Sequence, residues 1–196
     1  MGPTGAVQDM IGSHLPTWER ACSLCETYLE QAAWLFHAVS PVQLMDEMLP
    51  AFYKKAVPDP SEDDYSGPHD LALLFLVFAV GALVDLTQEP SNAEAEHYHQ
   101  IARAAICLQP VLERPSLVTI QALHLLSIYN AMSSSDLSGS ETSMETTWSL
   151  ITLAAQLSQT VRCRVGYSFG LSCDEGLIRL AFVRRGYDVW LFPCYL

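Results

Sequence analysis

Apolar residues recur at helical spacing along most of the chain, and short polar stretches separate the periodic segments. From Thr17 onward the apolar positions follow one another in steps of four and three, which predicts a helix with one inward-facing stripe. The stripe comprises Trp18, Cys22, Cys25, Leu29, Ala32, Phe36 and Val39. A second helix is predicted from Ser40-Pro41, with Ser40 and Gln43 as a capping box and a kink at Pro50.

The most apolar stretch, Leu71–Val84, is predicted to be the centre of the fold. It contains no charged residue over 14 positions. This is shorter than the ~20 residues needed to cross a bilayer, and a helix that is apolar on all sides is typical of a buried core. We therefore expect it to be packed on every side, with Trp18, Phe36 and Trp148 nearby.

Three further helices are predicted after this centre. Ser91 with Glu94 and Thr142 with Glu145 read as capping boxes, and Ser116 as the N-cap of the helix between them. In the last helix, Met144, Trp148, Ile151 and Ala155 recur at helical spacing as the inward side, widened by Leu150, Leu153 and Leu157. With six helices before residue 161 and no convincing strand, the predicted fold class is all-α, a multi-helix array around Leu71–Val84.

The sequence changes character after Thr160, which suggests three segments. Residues 1–16 are expected to be a flexible N-terminus, residues 17–160 the helical domain, and residues 161–196 a divergent tail. Up to Thr160 there are five basic and nineteen acidic residues, whereas the tail has five basic and three acidic ones. A retained intron or a shifted reading frame would produce such a tail, and a genuine but divergent C-terminus is the alternative.

Composition limits the classes of function. The chain is 50% hydrophobic and 16% charged, so either it is strongly buried or part of its apolar surface meets a partner. Its net charge of −12 argues against direct binding of nucleic acid, because Lys and Arg side chains neutralise the phosphates. The N-terminus has no basic region followed by an apolar run, so we expect no secretory signal and reduced cysteines.

The cysteines and histidines do not predict a metal site. Cys22 and Cys25 have zinc-like spacing, but structural zinc needs four ligands and no second pair lies nearby. Both belong to the first apolar stripe, which favours core packing. His97 and His99 are two apart on a predicted helix and point to different sides. The remaining histidines are isolated in the sequence: His14, His37, His69 and His124.

The acidic residues Glu62, Asp63 and Asp64 are the candidates for an enzyme. Carboxylates can hold Mg²⁺, but they must be preorganised on the wall of a cavity. Here they lie between Pro60 and Gly67, which favours a solvated loop. The sequence has no Gly-rich phosphate loop and no nucleophile elbow, so we predict no catalytic residues and no enzyme. A Mg-dependent or small-molecule-binding helical protein remains the alternative.

Five segments, taken in order, resemble the regulatory middle homology domain of fungal zinc-cluster transcription factors, the fungal-specific transcription factor domain. They are "ETYLEQAAWLFHAVSPVQLMDEMLPAFY", "LALLFLVFAVGAL", "AEHYHQIARAAICL", "PSLVTIQALHLLSIYNAM" and "METTWSLITLAAQLSQT". The resemblance covers about residues 20–160. In that family the "LAAQLSQT" helix usually continues into a Gly-Leu-His-Arg-like segment, which a region rich in Arg and Trp follows. Here residues 161–196 intervene instead.

The resemblance implies an all-α nuclear domain that controls transcription by RNA polymerase II. Its expected partners are proteins of the transcription machinery or a small effector, with a homodimer as a further option and no membrane. The family's zinc belongs to a six-cysteine DNA-binding cluster that this sequence does not contain. No residue here inherits a zinc or DNA contact, and no cofactor-binding residue can be named. The other alternative is a nonfunctional truncated product.

Overall fold

The computed structural model describes residues 3–53, 65, 67–88, 92–133 and 140–169, with backbone alone for residues 3–5, 140–143 and 162–169. Every regular element in these ranges is helical, which confirms the all-α prediction. A π-helix spans Val42–Met48. The α-helices are α1 Pro3–Gly12, α2 Trp18–Gln31, α3 Ala33–Phe36, α4 Leu49–Tyr53, α5 Pro68–Leu83, α6 Ala93–Ile106, α7 Leu117–Ser133 and α8 Ser140–Phe169.

Helix α5 is the centre of the fold, as predicted. Every residue from His69 to Ala82 except Asp70 is buried, and α2, α6 and α7 pack around it. The helix begins three residues earlier than expected, because Pro68 suits a first helical position and the Gly67 N–H donates to Asp70 Oδ2 at 3.0 Å. No helix in the described ranges is both long and apolar enough to cross a membrane.

Helix α2 crosses α5 at Gly81, where the two backbones come close. A Cβ added to Gly81 would lie 2.4 Å from the carbonyl oxygen of Leu24. Only glycine permits this approach without a shift of the backbone. The crossing places Leu24 and Cys25 in the same core as α5.

The predicted inward stripe of the first helix was partly wrong. The buried face of α2 consists of Ala21, Leu24, Cys25 and Tyr28, whereas Trp18 is 42% exposed and contacts the ring of Tyr53 edge-on. Cys25, Ala32 and Val39 of the predicted stripe are buried, and Cys22 and Leu29 pack against the core, so the prediction fails at Trp18, the first residue of α2. Phe36 does pack against the core, as predicted.

The segment from Ser40 to Tyr53 changes helical register at Pro50. The Gln43 N–H donates to Ser40 Oγ at 3.1 Å, so the predicted N-cap contact forms. In the π-helix the Leu49 N–H reaches the Leu44 carbonyl, five residues back, and α4 then follows. Pro50 has no N–H to donate, which accounts for a change of hydrogen-bond pattern at this point.

Helix α8 forms an outer layer on α7. Its contacts centre on Ile120, Leu123, Ala154 and Leu157, with Leu150, Leu153 and Val161 around them. The prediction that Trp148 lies near α5 was wrong, because that side chain is 63% exposed. Ser116 caps α7 through the Thr119 N–H, as predicted, but α8 already begins at Ser140, so Thr142 is not its N-cap residue.

Helices extend beyond both ends of the predicted domain, residues 17–160. Helix α1 occupies Pro3–Gly12, within the segment expected to be flexible, and Ile11 on it is buried. Helix α8 continues through Thr160 to Phe169, so the change of sequence character does not coincide with the end of a helix. Residues 170–196, most of the predicted tail, lie outside the described residues.

Candidate functional site

A charged contact joins α2 to α6 at the protein surface. Arg20 donates from Nε to Glu94 Oε1 at 3.1 Å and from Nη2 to Oε2 at 2.6 Å, and the Tyr98 hydroxyl donates to Oε1 at 3.2 Å. The hydrogen bonds from Arg20 hold the pKa of Glu94 below its usual value. The predicted capping box of Ser91 with Glu94 was wrong, because Asn92 is the N-cap of α6 and its side-chain oxygen accepts from the Glu94 N–H at 2.8 Å.

A buried amide pair holds the loop between α3 and the π-helix. Gln43 Nε2 donates to Gln121 Oε1, and Gln121 Nε2 donates back to Gln43 Oε1, each at 2.9 Å. Gln121 Nε2 also lies 2.8 Å from the Ala38 carbonyl oxygen. A satisfied buried network of this kind fixes a unique packing, and here it fixes the loop against α7.

Two further buried side chains approach the same loop without well-formed hydrogen bonds. The Tyr28 hydroxyl and His124 Nε2 have no partner of good geometry, although the backbone of Val39 and of Phe36 lies close to them. Burial raises the pKa of Tyr28 and lowers that of His124, so both are held neutral. The side chains of Tyr28, His124 and Gln121 thus place three polar groups along residues 36–39.

The histidines are scattered among structural contacts. His69 lies 2.8 Å from Thr119 Oγ1 and 3.0 Å from the Gln109 carbonyl, which ties α5 to the start of α7. The His14 and His97 rings meet edge-on at 5.6 Å. His99 is buried and stacks on Tyr129 with ring centroids 4.2 Å apart. His97 and His99 therefore have different neighbours, as their spacing predicted.

Cys25 is a core side chain, as predicted. It is fully buried between α2 and α5, and burial raises its pKa to about 12. Because the thiolate is the form that binds metals, this environment disfavours a zinc ligand. The half-buried Cys22 beside it also has a raised pKa, chiefly through burial. The described ranges contain no group of three or more His, Cys, Asp and Glu residues placed to hold a metal.

The candidate magnesium residues Glu62, Asp63 and Asp64 lie outside the described residues, so their geometry stays a prediction. Sequence reasoning missed a different feature, which is the large apolar side chains on the surface. Trp34 is 65% exposed, and its Nε1–H donates to the Gln31 carbonyl at 3.0 Å. On α8, Met144 and Trp148 are 61% and 63% exposed. Such side chains are typical of contact surfaces for other macromolecules.

The comparison with protein families agrees with this architecture. The fungal specific transcription factor domain matches residues 34–168, more than half of the chain. The match runs eight residues past Thr160. No curated protein and no solved structure matches the chain. The match covers the core helix α5 and its neighbours α6, α7 and most of α8, and on this ground the chain belongs to the fungal specific transcription factor domain family.

Proposed function

We propose that this chain acts in the nucleus as part of a fungal transcription factor and regulates transcription by RNA polymerase II through contacts with proteins or a small effector. The observation that carries the proposal is the family match over residues 34–168. The domain is a regulatory region of a transcription factor, and regulation by such a region requires a surface that another molecule binds. The family match supports a regulatory region of a transcription factor, and the contacts with partners and the control of RNA polymerase II are our proposal.

The surface chemistry favours a protein as the partner. Exposed aromatic side chains, such as Trp34 and Trp148, are residue types enriched at protein interfaces. The net charge of −12 favours a basic protein surface over nucleic acid. We propose no contact between the chain and a membrane. We also propose no bound zinc, since the family's zinc belongs to a six-cysteine cluster that is not in this sequence.

The core would act as a rigid scaffold in this function. Helix α5 is enclosed by α2, α6 and α7, and the exposed side chains stand on α3 and α8 at the outside of that arrangement. The proposal gives no side chain a catalytic role. Among the described residues the polar groups link helices to one another, as Arg20 with Glu94 and Gln43 with Gln121 do.

A tethering assay in a fungal cell tests the proposal. The full chain is fused between a DNA-binding domain of known specificity and a strong activation domain, and the output of a matching reporter is compared with the same fusion lacking the chain. We expect the chain to change the output severalfold and Trp34→Ser together with Trp148→Ser to reduce that change. An unchanged output from a fusion that is abundant, nuclear and bound at the reporter would contradict the proposal.

A further inference from the structure

The indole of Trp34 stands exposed at the carboxyl end of α2. Its Nε1–H donates to the carbonyl of Gln31, the last residue of α2, at 3.0 Å, and this hydrogen bond holds the ring at the helix end. The side chain of Trp34 is 65% exposed, and that of Leu35 beside it is 56% exposed. An aromatic and an aliphatic side chain are thus both open to solvent next to one helix end.

The carboxyl end of α2 is electronegative. Its last turn contains no basic residue, so no side chain of the helix offsets the negative end of the helix dipole. Glu26 and Glu30 lie one turn apart on α2, and both are exposed. Glu30 immediately precedes Gln31, whose carbonyl anchors the indole. The two carboxylates and the dipole therefore place negative charge within about two turns of the helix end that holds Trp34.

The neighbouring sequence supplies no Lys or Arg to offset this charge. Residues 21–53 contain four acidic residues, no Lys and no Arg, and His37 is their only histidine. Arg20, near the opposite end of α2, is bound to Glu94 through two hydrogen bonds. Net negative charge beside exposed apolar side chains favours a partner that is both cationic and apolar.

A Lys or Arg side chain has this chemistry. Its charged end is attracted to the face of an aromatic ring, and Trp gives the strongest contact of this kind. The methylene stem of the same side chain can lie along apolar surface such as that of Leu35, while the charged end faces the carboxylates of α2. An anionic partner, such as nucleic acid, would be repelled by the same carboxylates.

We propose that Trp34, Leu35 and the carboxyl end of α2, here called the α2 end site, bind a Lys or Arg side chain and a neighbouring apolar residue of a partner protein. The cation lies against the indole and faces Glu30, and the apolar neighbour packs on Leu35. The α2 end site rests on the function proposed above, whose protein partner it assigns to a chemical class.

Selection of random dodecapeptides, displayed as a library, against the purified full chain tests the site. We expect the enriched peptides to contain Lys or Arg beside an apolar residue, and to bind more weakly when that Lys or Arg is replaced by Gln. Trp34→Ser is expected to weaken their binding by at least about tenfold without changing the helical content. Trp34→Leu is expected to weaken it as much, because it keeps an apolar side chain but removes the aromatic face.

Trp148→Ser is the matched control, since Trp148 is 63% exposed but stands on α8, and it should leave the binding unchanged. A selection that enriches no peptide, or only peptides without Lys and Arg, overturns the proposal. Peptides that bind Trp34→Ser or Trp34→Leu as tightly as the wild type overturn it as well. If the site fails in this way while the tethered chain still changes the reporter output, the α2 end site is wrong and the function proposed above stands.

Neutralising the carboxylates tests the electrostatic part of the site. The double variant Glu26→Gln with Glu30→Gln is expected to weaken the binding of the same peptides by about threefold or more, and to make it less dependent on salt. Glu113→Gln with Glu145→Gln is the matched control, because it changes the net charge equally at two exposed residues outside α2. Equal binding by the two double variants overturns the assignment of the cation to the α2 carboxylates.

Discussion

The imidazole of His99 lies against the Tyr129 ring, and neither of its nitrogens has a hydrogen bond of good geometry. Glu96 stands at its edge, with Oε2 3.5 Å from Nδ1, and accepts a hydrogen bond from the Tyr129 hydroxyl at 3.2 Å. Burial lowers the pKa of His99 more than Glu96 raises it, and the charge of Arg103 lowers it further. The folded protein therefore holds this side chain neutral between α6 and α7.

This environment predicts a loss of stability in mild acid. The unfolded chain takes up a proton at His99 near the usual pKa of about 6.5, while the folded chain takes it up only at lower pH. The contribution of His99 to stability is thus complete above that pH and declines below it. Urea unfolding between pH 7.5 and about 5 should show a smaller loss for His99→Phe, which keeps an aromatic ring against Tyr129. The exposed His97→Phe is the control and should behave as the wild type; an equal loss in all three proteins would contradict this assignment.

Gly81 gives a second prediction for a single residue. Replacing glycine by alanine inside a helix usually stabilises it by about 1 kcal/mol, but here the new Cβ would meet the Leu24 carbonyl at 2.4 Å. We expect Gly81→Ala to destabilise the protein by about 1–3 kcal/mol, because α2 must move away from α5.

The control is Gly12→Ala on α1, where nothing lies within 4 Å of the added Cβ. Thermal and urea unfolding compare the two. A Gly81→Ala protein as stable as the wild type would show that the close crossing of α2 and α5 is not required.

Among the helices, α5 was the one best predicted from sequence, since a run without charges that is too short to cross a bilayer is typical of a buried core helix. The faces of α2 and α8 were harder. In α8 the apolar residues cover about half of the circumference, and periodicity alone does not say which part of that arc meets α7. In α2 the spacing included Trp18, which is the first residue of the helix and is 42% exposed. The partners of Glu94 and Gln121 are 74 and 78 positions away, and no local pattern predicts such contacts.

The enclosure of α5 predicts the cost of opening the core. Phe75 is fully buried and packs near the rings of Phe78 and Tyr98. Phe75→Ala should destabilise the protein by about 3–5 kcal/mol, because it removes buried apolar surface and leaves a cavity. Leu86→Ala, at a side chain that is 89% exposed, is the control and should stay within about 0.5 kcal/mol of the wild type. Equal stability of the two variants in urea unfolding would mean that α5 is not the centre of the core.

For the whole molecule, the net charge of −12 predicts weak contact with DNA. Cationic side chains supply most of the affinity for phosphates, and this chain has ten against twenty-two acidic residues. An electrophoretic shift assay with a panel of duplexes at physiological salt should show no specific complex. A competitor-resistant complex of nanomolar affinity would contradict this prediction.

The function proposed above requires that the fold around α5 presents the surface through which this domain would regulate transcription. The tethered reporter assay with the buried-site variant Phe75→Ala and the exposed-site control Leu86→Ala tests it most directly. Phe75→Ala should abolish the effect of the chain on reporter output at growth temperature, because loss of the core disperses the exposed side chains of α3 and α8. Leu86→Ala should leave the effect unchanged. If Phe75→Ala unfolds the purified protein and the tethered variant still changes the output as fully as the wild type, the folded domain is not the regulator and the account is contradicted.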